Sequence, residues 1–75
     1  MITINMNEFV GKNNIVSVNE NEYYYEFNLE NTNRLILHKY PLGDKHVIET
    51  DGNVILVDPS ELADTESVLN SLNKL

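Results

Sequence analysis

The chain has no cysteine and only five basic residues among its 75. Without cysteine there is no disulfide framework, which removes the device that small secreted scaffolds use to compensate for a thin core. Twelve acids against five bases give a formal charge of −7 and a pI near 4.5. Phosphate-backbone recognition wants the opposite sign, so direct nucleic-acid binding is not expected. The three glycines, Gly11, Gly43 and Gly52, stand isolated, and no glycine-rich phosphate loop exists. No apolar run approaches the ~20 residues of a transmembrane helix, and Met1 to Glu8 lacks the basic and apolar regions of a signal peptide. A soluble cytoplasmic protein, without membrane contact, is expected.

Seventy-five residues make one domain, residues 1–75. Such a domain buries only about 60% of the surface its unfolded chain exposes. A core of that size rarely supplies more than roughly 3–5 kcal/mol. With no disulfide and no cluster of metal ligands to add to that, association with a second copy is a serious expectation. The twelve asparagines are scattered, which separates the chain from low-complexity aggregation tracts. Their abundance reads as the coding bias of an AT-rich genome.

Several local signals are strong. Asp51-Gly52 between apolar runs is a two-residue hairpin turn, expected as type I′. It pairs Glu49 with Val54, Ile48 with Ile55, Val47 with Leu56 and His46 with Val57. Asp58-Pro59-Ser60-Glu61 is a helix start with a cap, a first-turn proline and a reciprocal acid. Beyond it Leu62, Val68, Leu69, Leu72 and Leu75 form an apolar stripe at helical spacing, with Glu61, Asp64 and Glu66 outside. Asp64-Thr65 caps well enough to restart the helix, so one helix or two fit the segment.

Tyr23 to Leu29 alternates, with Tyr23, Tyr25, Phe27 and Leu29 on one face and Tyr24, Glu26 and Asn28 on the other. Arg34 to Tyr40 is the next strand. A loop of Asn31, Thr32 and Asn33, with Asn33 left-handed, pairs Phe27 with Leu37, Glu26 with His38, Glu30 with Arg34 and Tyr24 with Tyr40. Ile15 to Val18 is a further short strand. At the N-terminus, Asn5 to Gly11 reads as a short helix with Met6, Phe9 and Val10 on one face and Gly11 as its exit. Ile2-Thr3-Ile4 alternates as a short strand, and a strand from Ile2 to Val10 is the competing reading. The expected class is α+β: a mostly antiparallel meander sheet of four or five strands, with a C-terminal helix on one face and the short N-terminal helix beside it.

Chemistry-bearing constellations are few. His38, His46 and Asp44 are metal-ligand types, but their spacing fits no ligand motif, and Glu26 is the expected partner of His38. Ser17, Ser60, Ser67 and Ser71 lack a nucleophile-elbow context. Paired carboxylates need a deep cleft, which a domain this small rarely builds. No catalytic residue, metal or cofactor is therefore expected, and a non-enzymatic role follows.

The tyrosine run Tyr23-Tyr24-Tyr25 has two readings. It is a sheet-forming run with wet hydroxyls, or it supplies an interaction surface, since tyrosine brings large area at low entropic cost. On the second reading Tyr24 and Tyr40 join the acids Glu20, Glu22, Glu26 and Glu30 to meet a protein with a basic surface. Acid rows on strands also imitate DNA phosphates, which makes a nucleic-acid-binding protein a fitting partner. Both faces of the last hairpin are apolar and one helix covers only one, so the other is covered by the N-terminal segment or by another chain. In the second case Ile36, Val47 and Ile48 are the expected oligomer face.

In length, acidity, lack of cysteine and richness in asparagine and tyrosine, the chain resembles accessory proteins of phages and mobile elements of low-GC bacteria. That broad group includes anti-CRISPR and anti-restriction proteins. The resemblance rests on no motif and assigns no residue. It implies a protein that blocks a host nuclease or defence protein by binding it. A small structural homo-oligomer, or a protein sequestering a small ligand between subunits, are the alternatives.

Overall fold

A computed structural model describes residues 1–75. Five strands form one antiparallel sheet in meander order: β1 (Ile15–Glu20), β2 (Tyr24–Leu29), β3 (Arg34–His38), β4 (His46–Thr50) and β5 (Asn53–Val57). A 3-10 turn at Met6–Glu8 precedes the sheet. Another at Pro59–Leu62 leads into the single α-helix, α1 (Thr65–Leu72). The chain is thus α+β, as the periodicities require.

The β4–β5 hairpin has the expected register throughout, from Glu49 opposite Val54 to His46 opposite Val57. Its turn differs from the expected type I′. Gly52 has φ +78° while Asp51 is not left-handed, and that pattern of signs belongs to a type II turn.

The β2–β3 hairpin differs by one loop position. Its three-residue loop is Glu30, Asn31 and Thr32, closed by the Leu29 amide donating to the Asn33 carbonyl at 2.9 Å. Thr32 rather than Asn33 takes the left-handed conformation, with φ 68°. Pairing shifts by two residues, so Phe27 lies opposite Leu35, Tyr25 opposite Leu37 and Tyr24 opposite His38. A shift of two keeps every side chain on its face. Apolar meets apolar in both registers, so cross-strand matching barely separates them. Asn31 helps define the loop actually formed, its side-chain oxygen accepting from the Asn33 amide at 3.1 Å.

Asp58 and Glu61 form the expected reciprocal cap, the Asp58 amide donating to Glu61 at 2.9 Å. The cap starts only a 3-10 turn. Asp64 then caps α1 proper, accepting from the Ser67 amide at 2.8 Å. Val68, Leu69 and Leu72 are buried against the sheet, with Leu62 and Leu75 partly buried beside them.

At the N-terminus Asn5 caps as expected and Gly11 has φ +88°, but the intervening helix is only the Met6–Glu8 turn. Residues 2–4 form no strand. The Ile2 amide donates to the Lys39 carbonyl and the Ile4 amide to the Tyr25 hydroxyl. Phe9 is fully buried and meets Phe27 edge-on, ring centres 5.3 Å apart, whereas Val10 points to solvent. A 3-10 turn advances faster per residue than an α-helix, so consecutive Phe9 and Val10 do not share a buried stripe.

Ile2, Ile4, Met6 and Phe9 all pack on the cluster that holds Phe27, Leu37, Ile48, Val57 and the α1 residues. The N-terminal segment and α1 therefore share one face of the sheet. The other face has no cover from this chain.

Candidate functional site

Strand alternation places Tyr24, Glu26, Asn28, Arg34, Ile36, His38, Val47, Glu49, Val54 and Leu56 on the open face. Ile48, expected there, is instead fully buried in the core, opposite Leu37 and Ile55. The two apolar residues Val47 and Ile48 are consecutive in a strand and must face opposite ways. Only Val47 belongs to the open surface.

Ile36 sits at the centre of that surface. Although nothing lies over the face, Ile36 retains only 9% of its accessible area. Its cross-strand neighbours are Glu26 and Glu49. Each acid meets a basic side chain of β3: Arg34 lies 3.2 Å from Glu26, and His38 Nε2 lies 3.1 Å from Glu49. The stems of these paired side chains wall the isoleucine while their heads stay in water. Beside it Arg34, Glu49, Thr50, Asp51 and Gly52 line a depression of about 220 Å³ with Ile36 at its floor. The Thr50 hydroxyl donates to the Arg34 carbonyl at 2.9 Å and ties β4 to β3 there.

Towards β5 the face becomes frankly apolar. Val54 and Leu56 are 59% and 53% exposed. They adjoin half-buried Val47; Glu49 lies between Val54 and Ile36 in the same cross-strand row, so the apolar strip reaches Ile36 diagonally, through Val47. Tyr24 closes the strip on β2, its ring 6.2 Å from that of His38. Tyr40 is exposed in the turn beyond β3 and does not pair with Tyr24.

The expected acidic row does not form as one patch. Glu20 belongs to the α1 side, where its carboxylate accepts from Lys39 Nζ at 2.6 Å. Lys39 lies 4.8 Å from the centre of the Tyr25 ring, and Glu20 holds its ammonium above the usual lysine range. Glu26 is on the open face but is taken by Arg34. Its expected partner His38 goes to Glu49 instead, because the two-residue shift carries His38 away from Glu26. Glu22 and Glu30 lie in the turns at opposite ends of β2 and remain exposed. Eight residues of extended chain separate these two by roughly 26 Å.

The remaining charges follow a simple rule. Arg34, Lys39, Lys45 and Lys74 all sit in ion pairs, the last two with Asp58 and Glu61, and Lys12 alone does not. Four acids pair with these cations, and a fifth, Glu49, meets His38. Glu8, Glu22, Glu30, Asp44, Asp51, Asp64 and Glu66, seven of the twelve, have no cationic partner. The uncompensated charge of the molecule is therefore almost wholly negative.

No group of three or more His, Asp or Glu residues is placed to hold a metal ion. The largest depression, about 270 Å³ between Pro59–Leu62 and α1, is lined by Ser60, Glu61, Ser67, Asn70, Ser71 and Lys74. Ligand pockets usually span about 300–1,000 Å³ and are mostly apolar. No helix is long and apolar enough to cross a membrane.

Against protein-family profiles, curated proteins and solved structures, the chain has no match. Its surface has to be read on its own chemistry. Sequence reasoning placed Tyr24, Ile36 and Val47 on the open face but did not include Val54 and Leu56, its most exposed apolar residues. Their signal was present in the hairpin pairing, which sets both on the face of Val47 and Glu49.

Proposed function

We propose that this chain is a non-enzymatic protein-binding module that docks a basic protein surface onto the open face of its sheet. The observation that carries this reading is the apolar strip of Tyr24, Ile36, Val47, Val54 and Leu56 within a molecule whose unpaired charges are nearly all acidic. Apolar contact at the centre supplies affinity, while surrounding acids select a basic partner and speed the encounter. The resemblance in size and composition to phage and mobile-element accessory proteins supports a specific class of partner. That class is a host nuclease or another nucleic-acid-binding defence protein of the bacterial cytoplasm, blocked by occupancy.

The immobilised chain is expected to retain one basic protein from cells of its source at low salt. Purified, that partner should bind more weakly as salt rises, because exposed charges are screened within about 10 Å at 0.1 M. Tyr24→Ala should weaken binding by about 1–2 kcal/mol. Glu22→Gln with Glu30→Gln should reduce the salt dependence while the protein stays folded. A partner whose affinity is indifferent to salt and to all three substitutions would refute this reading.

A further inference from the structure

β5 closes one edge of the sheet, and its outer backbone has no partner. It differs from the other four strands in carrying no ionisable residue: Asn53-Val54-Ile55-Leu56-Val57. Natural edge strands are usually protected by a charge, a proline, a bulge or a covering segment. The opposite edge has such protection, since β1 is bulged between Ile15 and Ser17 and ends in Glu20. β5 has none of these devices, and two of its side chains, Val54 and Leu56, are more than half exposed.

Backbone geometry specifies what this edge can accept. The two-residue loop sets Thr50 opposite Asn53, so ladder alternation turns the amides and carbonyls of Val54 and Leu56 away from β4. A second strand must therefore engage residues 54 and 56. We propose that the occupant is β5 of a second copy, paired antiparallel about a two-fold axis through Ile55.

This register sets Val54 opposite the second copy's Leu56, Ile55 opposite Ile55, and Asn53 opposite Val57. Every outward amide and carbonyl of residues 54 and 56 finds a partner, and apolar side chains meet on both faces. Charge argues for the same contact. Two molecules of charge −7 repel wherever acids meet, and β5 itself brings no charged side chain to the contact. Just beyond it this register sets Asp58 opposite the second copy's Gly52; Asp58 is already neutralised by Lys45, which leaves Asp51 as the one uncompensated acid at each end. Because each chain has one such edge, and the other is bulged, the association closes at two subunits in a ten-stranded sheet.

This inference is independent of the proposed partner, and salt separates them. Binding of a basic protein weakens with salt, whereas self-association of two acidic chains strengthens as their repulsion is screened. The test is sedimentation equilibrium of the full chain from micromolar to millimolar concentration at low and high salt, with hydrogen exchange followed by NMR. The wild-type mass should rise from 8.6 kDa to twice that value, at lower concentration in high salt. The Val54 and Leu56 amides should become protected only in the dimer.

Leu56→Lys, at an exposed position, should halve the mass at the highest concentration. Val54→Pro removes an outward donor without touching the bonds to β4, and should do the same with an unchanged circular dichroism spectrum. Should either variant lose the native spectrum, exchange at Val54 and Leu56 in the wild type decides alone. A wild-type monomer throughout, a dimer with those two amides unprotected, or growth beyond two subunits would each overturn the proposal.

Discussion

Thr32 shows how much a single backbone position matters. A β-branched residue with φ 68° occupies a region that costs L-residues roughly 1–2 kcal/mol. Glycine enters it without that clash but loses more freedom on folding. Thr32→Gly should therefore stabilise the protein by about 1 kcal/mol, read as a higher denaturant midpoint at unchanged slope. His46 offers a second case, since its Nδ1 is buried without a hydrogen-bond partner. An apolar replacement no longer leaves a polar atom unsatisfied, so His46→Leu should stabilise by about 1 kcal/mol at neutral pH. Asparagine, read from composition as genome bias, serves this backbone directly. Asn5, Asn21 and Asn31 each accept from an amide two residues on, and Asn13 and Asn14 are left-handed.

Titration adds a residue-scale prediction with a definite sign. The Ser67 amide holds the Asp64 carboxyl below its usual range, and Lys74 does the same for Glu61. Their contributions are complete above the unfolded carboxylate pKa and are lost as pH falls through the lower folded values. Glu20 and Asp58 hold Lys39 and Lys45 above the usual lysine range. Those contributions are complete below the unfolded lysine pKa and are lost as pH rises through the folded ones. The contributions of these four groups should thus be complete together only between the two ranges, and stability should fall on both sides. Asp64→Asn, which keeps a capping oxygen but cannot titrate, should make the acid limb shallower in thermal melts taken across pH.

At the scale of elements, the sheet is two units joined by a narrow seam. β1, β2 and β3 pair along most of their lengths, as do β4 and β5, but β3 meets β4 at only Ile36–Glu49 and Leu37–Ile48. Few ladder bonds hold the last hairpin to the rest, and local opening follows the weakest connection. Amides of β4 and β5 in the monomer should exchange faster than those of β2. Equal protection in both would show that the core contact of Ile48 outweighs the short seam. The central element tolerates less. Phe27 is fully buried against Phe9, and Phe→Ala in a core costs about 3–5 kcal/mol. A domain of this size commands roughly the same amount, so Phe27→Ala should leave the chain unfolded by circular dichroism at 25 °C.

Across the whole molecule, one face of the sheet is overcommitted and the other is free. The N-terminal segment and α1 both pack on the core side, which leaves the strip from Tyr24 to Leu56 and the outer edge of β5 uncovered. Strand periodicity, the Asp51-Gly52 hairpin, the Asp58 and Asp64 caps and the leucine stripe were all legible in the sequence. Each is a local matter, settled by residues within a few positions of one another. The β2–β3 register was legible only to within two residues, because a shift of that size preserves the face of every side chain. The candidate surface was legible in part. Tyr24, Ile36 and Val47 could be placed by alternation. The scattering of Glu20, Glu22, Glu26 and Glu30, and the choice of Glu49 by His38, depended on which strands lie side by side. Sequence by itself determined the elements and the sign of the charge. Only the tertiary structure decided which apolar face stayed uncovered, because the N-terminal segment reaches its neighbours through contacts with Lys39, Tyr25 and Phe27 that no local pattern encodes.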